Sequence, residues 1–112
     1  MKAWLPMRLL LDECVPARLK KALSAHVVST VPQEGWSGCK NGMLLALAAT
    51  NFDAFITVDK NLPYQQNVSK LAITVFVLDA HSNELPHLLP LVPSLEHALA
   101  THKPGTYAVL SG

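Results

Sequence analysis

Apolar runs bounded by polar or turn residues recur along this chain, and the spacing between them changes from run to run. Met7 to Leu11 is a short apolar run of the kind buried on both faces of a sheet. Pro16 then stands where a helix takes its first residue, and Leu19, Ala22 and Leu23 recur at helical spacing. "HVVSTV" (His26 to Val31) is β-branched and predicts a second strand. "PQEGWSGCKNG", with three glycines and a proline, predicts a loop. Asn41 is placed to cap a helix whose apolar face is Met43, Leu44, Leu47 and Ala48.

"AFITV" (Ala54 to Val58) predicts the third strand, and "NLPYQQN" a short polar segment with at most one helical turn. "LAITVFVL" (Leu71 to Leu78) is the most emphatic strand pattern in the chain. Leu85, Leu88 and Leu89 begin a helical pattern that Pro90 interrupts. Pro93 restarts it, with Leu95, Ala98 and Leu99 facing inward. "TYAVL" predicts a short edge strand. The order predicts a three-layer α/β/α domain with a mainly parallel sheet of four to five strands. Its weak joint is the third-to-fourth crossover, because Lys60 to Lys70 barely supplies the residues a parallel connection needs.

Composition narrows the classes. The 112 residues are half hydrophobic and 15% charged, which excludes a disordered chain and suits one domain with one core. A formal net charge of +1 gives no bias toward nucleic acid or membrane. There is no apolar run long enough to span a bilayer, and "MKAWLPMRL" makes a poor signal peptide because Pro6 and Arg8 break it. Cys14 and Cys39 lack a CxxC partner and read as reduced thiols of a cytoplasmic protein. The histidines lack zinc-site spacing.

Two apolar runs stop on carboxylates: "RLLLDEC" at Asp12 and Glu13, "FITVDKN" at Asp59. Parallel strands end on one side of a sheet, and ligands bind where successive connections leave to opposite faces. With the first and third strands as neighbours, Asp12 and Asp59 share that edge, and the helix beginning at Asn41 opens onto it. Paired carboxylates repel unless a cation or proton lies between them. Hard oxygen ligands suit Mg²⁺ or Mn²⁺, which support phosphodiester hydrolysis. The bland readings are a helix cap for Asp12 and an Asx turn with Asn61 for Asp59. A receiver-like phosphoacceptor also has acidic strand ends, but a lysine-bearing fifth strand is not evident here.

"LLLDECVPARLKKAL", "GWSGCKNGMLLALA" and "FDAFITVDKNL" together resemble the compact PIN-like toxin proteins related to VapC. The likeness covers residues 7–80, with a helical tail at 84–112, in one domain spanning 1–112. It implies a PIN-like fold and a metal-dependent endoribonuclease acting as the toxin of a bacterial toxin–antitoxin pair, restrained by a small antitoxin. By that resemblance Asp12 and Asp59 match family aspartates and, with Glu13, are the metal candidates. Asn41 stands at the position of a family acid and joins Asp12 and Asp59 as a catalytic candidate. Asn61 stands where a second aspartate is usual, and Cys14 where an asparagine is usual.

Lys40, Lys60, Asn61 and Gln66 are the candidates for RNA contact, the lysines as point charges toward phosphate and the amides toward base or ribose. Tyr64 and Trp36 are candidates to stack a base, with Trp36 better read as closing a core edge. The alternative function is a PIN-like RNA- or protein-binding module that has lost hydrolysis because Asn41 and Asn61 replace acids. The tail, rich in Leu and Pro, points to surface for a partner or a homodimer.

Overall fold

Residues 6–111 are described by the computed structural model. Residues 1–5 of the stretch read as a poor signal peptide lie outside them. Five strands form one sheet: β1 (Arg8–Leu11), β2 (Val27–Thr30), β3 (Ala54–Thr57), β4 (Thr74–Asp79) and β5 (Tyr107–Ser111). Their order is β2-β1-β3-β4-β5, and every neighbouring pair is parallel. The helices are α1 (Asn41–Asn51), α2 (Leu62–Gln65), α3 (Leu85–Leu88) and α4 (Val92–Ala100). Three 3-10 helices, Ala17–Leu23, Val68–Lys70 and Leu89–Leu91, complete the connections.

Alternation along the buried strands divides the apolar residues between two faces. Leu9, Leu11, Ala54, Ile56, Phe76 and Leu78 pack under Leu19 and Leu23 of the first 3-10 helix and under Leu88, Leu91, Leu95 and Leu99 of the tail. Leu10, Phe55, Val75 and Val77 face the other way, against Leu44, Leu45 and Ala48 of α1 and Leu62 of α2. Trp36 meets the edge of Phe52 at 6.2 Å between centroids and closes the second core, as the sequence suggested. At the far end of the sheet, buried His26 accepts the Met7 N–H through Nδ1, so its Nε2–H donates to Glu96 of α4 at 2.7 Å.

Four details depart from the sequence reading. The segment after Pro16 is a 3-10 helix, because two turns of apolar spacing do not separate i+3 from i+4 bonding. Leu45, not Met43, lies inward on α1, and Met43 is exposed. β4 begins at Thr74, so the crossover runs through residues 58–73 and exceeds the dozen or so residues a parallel return requires. The tail leucines named above are core residues rather than partner surface, although Leu89 is exposed. Among the described residues no helix is long and apolar enough to cross a membrane.

Candidate functional site at the carboxyl edge of the sheet

The connection from β1 to β2 passes over one face and the connection from β2 to β3, through α1, over the other. Between β1 and β3 the chain therefore leaves in opposite directions, and this is the cleft where open α/β sheets hold ligands. The β1–β3 register aligns Leu11 with Ile56, and Asp12 N–H adds one more ladder bond to Ile56 O at 2.9 Å. Asp12 is thus opposite Thr57, on the face of Leu10 and Phe55.

The Thr57 hydroxyl joins the two strand ends. It donates to Asp12 Oδ2 at 2.8 Å and accepts the Asp59 N–H at 3.0 Å. Thr57 is fully buried, whereas Asp12 and Asp59 are half-buried and reach water. Asp12 Oδ1 accepts the Glu13 N–H at 2.8 Å, and the Val15 N–H closes the turn onto Asp12 O at 2.9 Å. The carboxylate therefore caps this turn and not the 3-10 helix, whose cap position is Pro16. Asp59 Oδ1 accepts the Asn61 N–H at 2.9 Å, so the Asx turn read as the bland alternative is present.

Cys14 belongs to the same cluster, with Sγ 3.5 Å from Asp12 Oδ2 and 3.6 Å from Thr57 Oγ1. Burial pushes the thiol pKa up. Contact with the Val58 backbone and the Thr57 hydroxyl pulls it down, and the Asp12 charge raises it again, with a net upward shift. Cys14 is therefore a protonated donor to Asp12 rather than a ready thiolate.

The other candidates are spread around this centre. Glu13 turns away and accepts the Gly38 N–H at 3.0 Å, latching the loop that precedes α1. Asn41 is the first residue of α1 rather than its cap. Lys40 holds the cap position and contributes no side-chain bond to the helix. Lys60 reaches across to Asp79 at the end of β4, at 2.8 Å. Gln66 lies over the first turn of α1: a methyl group on Gly42 would stand 3.2 Å from its Oε1.

Asp79 and Asn83 were not singled out from the sequence. Asp79 carries the same signal as the other two, an apolar strand stopping on aspartate in "VFVLD". Asn83 Nδ2 donates to Cys14 O at 3.0 Å and ties the loop after β4 to the turn after β1; no spacing announces it. Three loops are thus cross-linked at one rim.

The donor set bears on metal binding. Among the described residues no three His, Cys, Asp or Glu side chains converge as ligands. Two half-exposed carboxylates are what Mg²⁺ accepts when waters complete its shell, so the residues fit a weakly held, hydrated ion. β5 carries no lysine, and the ammonium found at this rim is that of Lys60, paired with Asp79. The fold and rim define a parallel α/β domain with acidic strand ends at its switch point. Comparison with protein-family models, with curated proteins and with solved structures finds no match to this chain.

Proposed function

We propose that this protein is a metal-dependent endoribonuclease-type toxin of a bacterial toxin–antitoxin pair. The observation that supports the reading is that the buried Thr57 hydroxyl holds the Asp12 carboxylate and the backbone N–H of Asp59, on the carboxyl ends of two adjacent parallel strands. The likeness of "LLLDECVPARLKKAL" and "FITVDKNL" to PIN-like toxin proteins supports it. Asp12 and Asp59 would hold Mg²⁺ or Mn²⁺, with Asn41 and Asn61 as further candidates, whereas Glu13 is turned to the Gly38 N–H. When bound, the ion supplies Lewis acidity and an activated water for phosphodiester hydrolysis. Thr57 holds Asp12 through Oδ2 and fixes the backbone of Asp59. Lys40 stands exposed beside α1 as a point charge for phosphate, whereas Lys60 is engaged by Asp79. A small antitoxin would restrain the activity, and a homodimer is part of the same proposal.

The test is cleavage of structured RNA by purified protein with Mg²⁺, with Mn²⁺ and with EDTA. Cleavage is expected only with metal, and Asp59→Asn is expected to reduce it to background. Equal cleavage by Asp59→Asn and wild type would overturn the catalytic assignment.

The amides favour a second reading, in which the domain binds RNA or protein without hydrolysis. Asn41 and Asn61 bring oxygen ligands without the charge that offsets dehydration of Mg²⁺. Calorimetric titration with Mn²⁺ separates the two readings: no heat at millimolar metal supports the binding module.

A further inference from the structure

We propose that the groove between α2 and β5 is a subsite for an unpaired nucleobase of RNA, stacked on Tyr107 with the exposed Tyr64 ring, which stands nearly perpendicular to it, at its border. The groove has a volume of about 360 Å³ and is bounded by Pro63, Gln66, Asn67, Ser69, Thr106 and Tyr107. Its formation follows from the chain. Val75 is paired with Tyr107 and Val77 with Val109 in the parallel register, so both β5 side chains stand on the α1/α2 face. The short α2 does not extend over them, and Tyr107 and Val109 remain 43% and 45% exposed. Gly105, at φ +81°, lets the strand's approach pass close to the Ser69 carbonyl; a methyl group there would lie 3.1 Å from that oxygen.

Three observations select the ligand. Tyr64 is 77% exposed and meets Tyr107 in an edge-to-face pair, 6.1 Å between centroids. A large aromatic surface is thus held out to water with its orientation set, as stacking on a base requires. The groove wall beside it carries amides and hydroxyls. Asn67 accepts the Ser69 hydroxyl through Oδ1, so its Nδ2 is the end left to donate to a base edge. Finally, among the described residues no acidic residue lines the groove, exposed Lys70 follows Ser69 directly, and exposed Lys103 lies two residues before Gly105. That charge balance favours an anionic ligand, and the exposed rings favour one that carries bases to stack over an acidic peptide.

The short α2 connects the groove to the rim along the chain. α2 begins directly after the Asp59 turn, through Leu62 N–H to Asp59 O, and Gln66 spans from the groove to the first turn of α1. Tyr107 is level with Val75, and Asp79 closes β4 four residues on, roughly 13 Å along the strand, so an RNA strand occupying both the groove and the rim would have to cover that distance. The subsite rests on the RNA-facing part of the proposed function and not on hydrolysis.

The experiment is fluorescence anisotropy of a labelled, unstructured RNA oligonucleotide with the full chain in EDTA, where cleavage is absent. Tyr64→Ala and Tyr107→Ala are each expected to weaken binding roughly tenfold, the range seen when one stacked base loses its aromatic partner. Tyr64→Phe, which keeps the ring, is expected to retain wild-type affinity. Both tyrosines are exposed, and matched thermal melts establish that the variants fold. RNA bound equally well by wild type and both alanine variants, or not bound at all, overturns the subsite. So does loss of self-association in the alanine variants with RNA affinity unchanged, which would make the surface a contact between copies. Tyrosine-dependent binding in EDTA without cleavage in Mn²⁺ supports the groove and removes the nuclease.

Discussion

Thr57→Val isolates the hydroxyl on which the rim depends. Valine keeps the volume and β-branching of threonine in a fully buried strand position, so the shape that fills this position changes little. Two hydrogen bonds disappear. The bond to the Asp12 carboxylate belongs to the charge-assisted class, at about 1.5–3 kcal/mol, but Asp12 is half-exposed and water can replace the donor. The lower end of that range therefore applies. The Asp59 N–H also loses its acceptor, for about 1 kcal/mol more. The expected destabilisation is about 2–3 kcal/mol, or a fall in melting temperature of roughly 10 °C at about 4 °C per kcal/mol for a domain of this size.

Thr57→Ser supplies the contrast. It keeps both hydrogen bonds and removes one buried methyl, at about 1 kcal/mol. Thermal and urea melts of the two variants should rank valine below serine, the reverse of a site where apolar packing dominates. A cycle with Asp12→Ala should show coupling of about 1–2 kcal/mol between positions 12 and 57. If valine melts with the wild type, or serine is the worse substitution, the hydroxyl is not what joins the strand ends.

Cys14 should alkylate slowly with iodoacetamide at about pH 8, since a raised thiol pKa lowers the thiolate fraction, and Asp12→Asn should speed the reaction by removing one upward push. By the same sign, the protonated thiol favours the folded state, and that margin is lost as pH rises through the raised value. Gly105→Ala should cost about 1–3 kcal/mol in denaturant melts, because positive φ and the Ser69 carbonyl both oppose a methyl group. Gly35→Ala, at φ +79° with open space around it, should cost less; equal losses would show that the close approach is harmless. If missing charge limits metal affinity, Asn61→Asp should tighten Mn²⁺ binding in calorimetry, and an unchanged affinity would exclude position 61 from the shell.

Strand identity was legible because the buried strands read as apolar runs, whereas β1 beside β3 entered the sequence reading only as a condition, which the strand order meets. The switch point and the shared edge of Asp12 and Asp59 rested on that condition. The helices were less legible. In "MLLALAA" adjacent apolar residues satisfy several helical faces at once, and it is the packing of α1 in the second core that puts Leu45 in and Met43 out. Asn41 has the chemistry of a cap, yet the loop enters the helix one residue earlier, at Lys40. The bridges of the rim, Thr57 to Asp12, Asn83 to Cys14 O and Lys60 to Asp79, join residues far apart in sequence and leave no periodic trace.

A carboxylate at a strand end has two oxygens, and the rim divides their uses. Beyond the last ladder bond the chain turns, and its N–H groups need acceptors that the sheet no longer supplies. Asp12 Oδ1 takes the Glu13 N–H and Asp59 Oδ1 the Asn61 N–H, so one oxygen of each serves the turn. Asp12 Oδ2 is further engaged by Thr57 and Cys14, while the described hydrogen bonds of Asp59 leave its Oδ2 without a partner. Turn-forming and ligand-binding readings are therefore not exclusive, because the bond that forms the turn also orients the remaining oxygen. This is why Asp59→Asn discriminates where Asp59→Ala does not. Asparagine keeps an Oδ1 to accept the Asn61 N–H and removes the charge, so a folded variant that neither binds metal nor cleaves points to the charge alone. A variant that retains both activities assigns Asp59 to the turn and nothing more.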